Sequence, residues 1–372
     1  MKKIICVLLG SLLIFCASTA SAQEKDVPKP SAAAYVLYCP QNGSIILSRN
    51  KDERRKPAST TKLMTTLLTL EQAAKGNKNV TFNKKMTAEG SSMYLEYGDT
   101  LKLDDLAAGM MMCSGNDAAN AAAISVSGSF EGFSKLMNSR AQSIGMKNTH
   151  FVTPSGLDDD DHYSTAYDMA LLMAEVLKNR KMSDLISQKS ATVNFITPDK
   201  HMTYNNHNKL LSLYKDCVGG KTGYTTAAGR CLVTAAKRDD LTLICVTLDD
   251  KRDWSDHIAL YDYGFSKLCC YSDKGFSAEV PVIGGESDTV TACSDGFEIV
   301  LPKEKQGRVT KKILLDSFLF APVEDGATLG AVEYRLDGKL IRKSSNKAQN
   351  GVEYARSSKS LFEIIKEKIF NG

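Results

Sequence analysis

A serine hydroxyl becomes a useful nucleophile only when a base removes its proton. The tetrad Ser59-Thr60-Thr61-Lys62 supplies both partners three residues apart, on one face of a helix. A lysine at its ordinary pKa of about 10.4 is charged and cannot serve as that base. Burial and a second cation both favour the neutral amine, and Lys221 of Lys221-Thr222-Gly223 is the candidate cation. Between these two motifs lies Ser114-Gly115-Asn116. Ser114 would carry a proton between Lys62 and a leaving amine, while Asn116 offers an amide to hold Lys62 or a substrate carbonyl. On an edge strand, Lys221 and Thr222 would grip a carboxylate by charge and hydroxyl, and Gly223 would let substrate backbone lie close. The N–H of Tyr224 and the unpaired first-turn amides around Ser59 would then flank a developing oxyanion.

Each motif alone says little. Ser-x-x-Lys recurs at Ser48–Lys51, Ser212–Lys215 and Ser344–Lys347, and an isolated copy is ordinarily a helix cap with a solvated lysine. Only Ser59 opens an apolar helix, and only Ser114 lies between such a helix and the single Lys-Thr-Gly. The signal is the ordered set.

The elements that must position these groups are legible in part. Asn42-Gly43 between Tyr35–Tyr38 and Ile45–Leu47 predicts a hairpin. A helix is predicted from about Pro57 to Lys75, stopped by Gly76. The Ala-, Met- and Leu-rich stretch from Leu101 to Met146 reads as several helices, and a further helix fits Ala166–Leu177. Cys231–Ala236 and Leu241–Leu248 form a second predicted hairpin, followed by a helix over Trp254–Lys267. Strands at both ends with helices between them predict an α+β domain, an antiparallel sheet covered by a helical cluster. After about residue 273, Gly-rich turns at 284–285, 296, 307, 326 and 338 separate short strand-like runs. That predicts a small all-β domain.

The ends of the chain differ from this body. Lys2-Lys3, an apolar run from Ile4 to Phe15 and Ala20-Ser21-Ala22 read as a secretory signal cut after Ala22. Bulky Phe15 before Cys16 disfavours lipidation. The predicted division is therefore 1–22 signal, 23–272 catalytic domain, 273–355 β-rich domain and 356–372 amphipathic tail. In the tail, Leu361, Phe362, Ile365 and Ile369 share one side of a helix, which either lies in a membrane interface or docks on the β-rich domain. Export permits disulfides among the eight cysteines beyond the signal, but several sit in apolar runs, as Cys231 and Cys245 do, and read as buried free thiols. A formal net charge of only +4 argues against nucleic acid as a partner. The five histidines stand far apart in no zinc-ligand pattern.

The three motifs in this order, with the signal, the β-rich domain and the tail, resemble the low-molecular-mass penicillin-binding proteins, serine-type D-alanyl-D-alanine carboxypeptidases of the peptidase S11 type. The resemblance implies a β-lactamase/transpeptidase-like catalytic domain. It implies Ser59 as acyl-enzyme nucleophile, Lys62 as proton acceptor, Ser114 and Asn116 as the second motif, and Lys221 as the binder of a terminal carboxylate. The substrate implied is a peptidoglycan stem peptide ending in D-Ala-D-Ala, with β-lactams as covalent inhibitors and no metal or cofactor. His162, in Gly156-Leu157…His162-Tyr163-Ser164, either shapes a loop beside the site or caps the next helix. The deacylating Glu-x-x-Leu-Asn segment of β-lactamases does not occur, since Glu175 is followed by Val-Leu-Lys-Asn. The rival readings are a DD-endopeptidase acting on cross-links and a catalytically silent cell-wall binding protein.

Overall fold

The computed structural model describes residues 26–355, so the predicted signal and tail lie outside the described residues. The first hairpin is present as β1 (Ala34–Cys39) and β2 (Ser44–Arg49), with Gly43 turning between them at φ +71°. Every residue of β1 is buried because the strand serves two cores. Ala34, Val36 and Tyr38 face one, while Tyr35, Leu37 and Cys39 face the other, the two-residue alternation of a strand covered on both sides.

A 3-10 turn at Ala58–Thr61 leads into α1 (Lys62–Lys75). All residues from Lys62 to Leu70 are buried, so α1 is enclosed rather than amphipathic. Leu63, Leu67 and Leu68 each contribute about 1.5–3 kcal/mol by leaving water. The helix threonines must then find internal partners: Thr65 Oγ1 donates to Pro154 O at 2.6 Å and Thr69 Oγ1 to Thr65 O at 2.7 Å. This wholly dry environment is what Lys62 inherits.

The chain continues through β3 (Asn79–Thr81), β4 (Thr100–Lys102), α2 (Leu103–Met112), α3 (Asn116–Ser127) and α4 (Phe130–Ile144). Next come α5 (Ala166–Lys178), α6 (Arg180–Ser187), β5 (Ser190–Thr197), β6 (Lys200–Asn205) and the short α7 (Leu210–Leu213). The buried alanines of α3, among them Ala118, Ala119 and Ala122, sit in the same core as α1 and α2. β7 (Cys217–Thr225), β8 (Gly229–Arg238) and β9 (Leu241–Leu248) complete a five-stranded antiparallel sheet ordered β2-β1-β9-β8-β7. The second predicted hairpin is β8–β9. α8 (Asp253–Lys267) packs Leu260, Tyr261 and Phe265 on the face opposite α1. Unforeseen is a four-stranded sheet, β3-β4-β5-β6, assembled from short segments far apart in the chain.

From Leu268 the chain enters a six-stranded sheet, β12-β14-β15-β11-β10-β13. Its strands are β10 (Leu268–Ile283), β11 (Thr289–Pro302), β12 (Val309–Leu315), β13 (Leu319–Phe320), β14 (Thr328–Leu336) and β15 (Lys339–Ala348). β10 and β11 are long ribbons rather than short runs. Gly296 corrects the turn expected there: it lies within β11, where an added Cβ would stand 2.1 Å from Asp273 O. The glycine permits close approach between paired strands instead of reversing the chain. The eight described cysteines are free thiols, and Cys39, Cys231, Cys245 and Cys269 among them are buried.

Candidate active site

The three motifs converge where α1, the α2–α3 junction and edge strand β7 meet. Ser59 lies in the 3-10 turn, which has no side-chain cap, so the hydroxyl is not consumed in holding the helix. Lys62 Nζ is wholly buried and lies 3.0 Å from Ser59 Oγ, 2.6 Å from Asn116 Oδ1 and 2.7 Å from Ser155 O. The two carbonyl oxygens can only accept. A neutral amine has two N–H groups for them, and its lone pair is then left for the Ser59 hydroxyl. Burial, followed by repulsion from the Lys221 ammonium, holds the Lys62 pKa well below its ordinary value, the direction this arrangement needs.

Asn116 is not spent on capping α3. Its Nδ2 donates to Glu89 O at 2.6 Å, which fixes Oδ1 toward Lys62. Ser114 stands at the break between α2 and α3 with φ +59° and is 4 % exposed. Lys221 Nζ donates to Ser114 Oγ at 3.0 Å and to Thr222 O at 2.9 Å. Ser114 thus connects to Lys221 directly, and Lys221 is equally buried, its pKa lowered by desolvation to about 7. At Gly223, an added Cβ would lie 2.9 Å from Thr60 N and 3.0 Å from Ser59 N. Only glycine lets β7 come this near the turn that carries Ser59. Tyr224 points its side chain outward, so its contribution to an oxyanion site is through the backbone.

Ser59, Ser114, Thr222, Gly223 and Tyr224 line an open cavity of about 430 Å³. Ser91, His207, Arg230, Asp253 and Trp254 complete its wall. The loop carrying Ser91 is tied down by Asp117, whose carboxylate accepts from Met93 N at 2.9 Å, Leu95 N at 3.1 Å and Ser92 Oγ at 2.6 Å. All eight predicted site residues therefore belong to one groove or its immediate floor.

Residues 19–252 match the D-alanyl-D-alanine carboxypeptidase family, peptidase S11, and residues 270–354 match the C-terminal domain of penicillin-binding protein 5. The chain belongs to the D-alanyl-D-alanine carboxypeptidase family. It is 31 % identical to D-alanyl-D-alanine carboxypeptidase DacF of Bacillus subtilis, over 95 % of this chain and 96 % of that one. It is 33 % identical to DacC of Escherichia coli, over 90 % and 88 % respectively. Among solved structures, penicillin-binding protein 5 of Haemophilus influenzae aligns with TM-score 0.65 at 31 % identity, covering 88 % of this chain and 99 % of that one. The Streptomyces K15 DD-transpeptidase aligns with TM-score 0.62 at 29 % identity, covering 65 % and 99 %.

Within this S11 catalytic domain, the sequence reading missed Ser155. Its contribution is a backbone oxygen, which leaves no side-chain signature. His162 is the loop-shaping residue, not a cap; Thr165 caps α5 instead. His162 Nδ1 accepts from Val152 N at 3.0 Å and Thr153 N at 3.1 Å, so Nε2 carries the hydrogen toward Thr61 Oγ1 at 2.9 Å. Burial lowers its pKa to about 4, and the neutral ring pins the 152–155 loop against the turn that carries Ser59. Asp158, the first of four consecutive aspartates, accepts from Thr225 Oγ1 at 2.9 Å and joins that loop to the end of β7.

Proposed function

We propose that this protein removes the terminal D-alanine from peptidoglycan stem peptides ending in D-Ala-D-Ala, through an acyl-enzyme on Ser59. Lys62 takes the hydroxyl proton as Oγ attacks the carbonyl between the two D-alanines. The tetrahedral oxyanion lies between the N–H groups of Ser59 and Tyr224. As the C–N bond breaks, the proton passes by way of Ser114 to the departing amine, and D-alanine leaves. Water then attacks the ester, with Lys62 again accepting a proton, and Ser59 is restored. Lys221 and Thr222 hold the substrate's free carboxylate. β-Lactams acylate the same hydroxyl because their strained amide resembles the dipeptide bond.

The single observation that supports this most is the Lys62 amine, buried, fixed by two carbonyl oxygens and 3.0 Å from Ser59 Oγ. A helix cap or a silent binding surface has no use for it. We place the work outside the cytoplasmic membrane, with catalytic residues drawn from 23–272 and the sheet of 273–355 as a separate domain. Purified mature protein and Ser59→Ala are each given a fluorescent penicillin and a D-Ala-D-Ala pentapeptide. Labelling and D-alanine release are expected from the former and neither from the variant. Release only from cross-linked dimers would replace this reading with an endopeptidase, and labelling of Ser59→Ala would remove the assigned nucleophile.

A further inference from the structure

The six-stranded sheet comes apart at one place, far from the catalytic groove in sequence. β11 and β15 pair only at Ala292–Ala348 and Cys293–Lys347. The next pair in that register would set Ser294 opposite Asn346, and it does not form. Beyond this point β11 stays with β10, and β15 stays with β14. The cause is the course of the β10–β11 ribbon. Three residues past Ser294, the Phe297 ring lies 4.4 Å from that of Tyr334, whose hydroxyl donates to Asp273 of β10 at 2.8 Å. Tyr334 belongs to β14, which is not the neighbour of β11 in the sheet. The ribbon therefore crosses over the sheet's face instead of running on beside β15.

The parting is a cleft of about 500 Å³. On one side its lining takes consecutive residues of β15, Arg342 to Ser345, and successive strand residues point to opposite faces. That wall is the open edge of the strand, and such an edge presents unpaired N–H and C=O groups. Ser294 and Asp295 of β11 form the other side. Where the strands separate, Ser294 Oγ and both amide atoms of wholly buried Asn346 have no hydrogen-bond partner in the chain. Among the described residues they are the only such side-chain atoms of the β-rich domain. Buried polar atoms are ordinarily paired, so three at one spot mark a place where something else is bound. An asparagine amide both donates and accepts, which matches a peptide group. The charge is one-sided as well. Arg342, Lys343 and Lys347 line the cleft with a single acid, Asp295. Of these cations, only Lys343 has an acidic partner among the described residues, Glu333 at 3.7 Å.

We propose that this cleft receives an extended acidic segment of a partner protein, laid between β11 and β15 as an added strand. The segment's main chain bonds to the two open edges, Asn346 and Ser294 pair with its peptide groups, and its carboxylates meet Arg342 and Lys347. This is recognition by strand addition, in which the main chain gives affinity and the side chains give selectivity. A stem peptide ending in D-alanines is the wrong occupant, because residues of the opposite hand do not follow the backbone geometry of an L-residue ladder. The β-rich domain is then a docking module whose contact lies outside the catalytic groove. Nothing in this inference depends on the assignment of the catalytic residues.

The probe is a dye-labelled heptapeptide alternating valine and glutamate, made in all-L and all-D forms and added to the mature full-length protein. The L form is expected to bind saturably and the D form at least tenfold more weakly. On binding, amide hydrogen exchange is expected to slow at residues 293–296 and 342–346, where the edges gain ladder bonds. Arg342→Gln/Lys347→Gln, two exposed changes, is expected to weaken binding about tenfold at low salt, a difference that shrinks as salt screens the charges. Ser294→Ala removes a hydroxyl that the free protein leaves unpaired. It is expected to lower affinity about threefold while the melting temperature holds, whereas a purely structural hydroxyl would lower the melting temperature and spare binding. Penicillin acylation stays unchanged in every variant. No saturable binding of the L form up to about 1 mM would overturn the proposal, as would equal binding of the D form. Slowed exchange at residues 221–225 in place of the cleft would also overturn it, by putting the peptide in the catalytic groove.

Discussion

Two lysines in one groove are asked to do opposite things, and their surroundings separate them. Lys62 is fully buried with a like charge nearby, both of which favour the neutral amine, and its two carbonyl acceptors aim it at Ser59. Lys221 has a hydroxyl and a carbonyl as partners, with its pKa lowered to about 7 by burial alone among the lowering causes. Below that value Lys221 is cationic and can hold a carboxylate; above it the charge is lost. The KM for a peptide ending in D-Ala-D-Ala is therefore expected to climb as pH rises past about 7, approaching tenfold per unit until binding no longer uses the charge. The bound carboxylate itself raises the lysine's pKa, so kcat is expected to hold to higher pH than kcat/KM. On the acid side the rate falls as Lys62 regains its proton. Steady-state kinetics from pH 5 to 9 with the free acid and with the C-terminal amide separate the effects. A KM that climbs equally for the amide would remove Lys221 as the carboxylate's partner.

At the scale of elements, the site is a matter of how closely a strand, a turn and a helix end can approach. Gly223 is the point where the strand meets the turn, and the atoms a side chain would meet there are Ser59 N, Thr60 N and Pro57 O, all backbone. Gly223→Ala is expected to push β7 off the turn and part the two oxyanion donors, lowering penicillin acylation by about 10²-fold, the usual cost of misplacing reacting groups by an ångström. Because β7 is an edge strand, the melting temperature is expected to fall by only a few degrees; acylation at the parent rate would show that the approach is not required. The contrast between motifs and elements also explains what the sequence made legible. Ser59–Lys62, Ser114–Asn116 and Lys221–Gly223 are contiguous and sit at element boundaries, where spacing and turn residues carry information. The hairpins and the helices flanking them were legible for the same local reason. β3 and β4 are three residues each and make sense only once β5 has paired with β4, so no local pattern announces them. His207, Arg230 and Trp254 reach the cavity wall from three separate segments, and Ser155 contributes only a carbonyl. Gly296 reads as a turn residue, yet it lies inside a ribbon whose length no local pattern fixes.

Across the whole molecule, the catalytic domain is a sheet held between two dry cores, and each core encloses a histidine that folding keeps uncharged. His162 lies beside the groove with its pKa lowered by burial to about 4. On the opposite face, His257 of α8 is fully buried between Thr234 Oγ1 at 2.7 Å and Thr247 Oγ1 at 3.1 Å, which ties α8 to β8 and β9; burial lowers its pKa to about 3. An unfolded chain binds a proton on each near pH 6.5, whereas the folded chain does not until far lower pH. Stability is therefore complete above about 6.5 and is lost as pH falls toward those folded values, because the unfolded state takes up protons that the native state refuses. For His257 alone the loss across the window is on the order of 5 kcal/mol. Trp254, the only tryptophan, sits one turn before His257 in α8, so its fluorescence follows the unfolding of this domain without interference from the β-rich one. Urea titrations from pH 7 down to 4 are expected to show a shallower decline in His257→Gln than in the parent, although the variant starts lower through its imperfect fit between the two threonines. Parallel pH dependences would mean that His257 is not held neutral by the core. The enzyme's lower pH limit would then belong to Lys62 alone, as a limit on chemistry rather than on the fold.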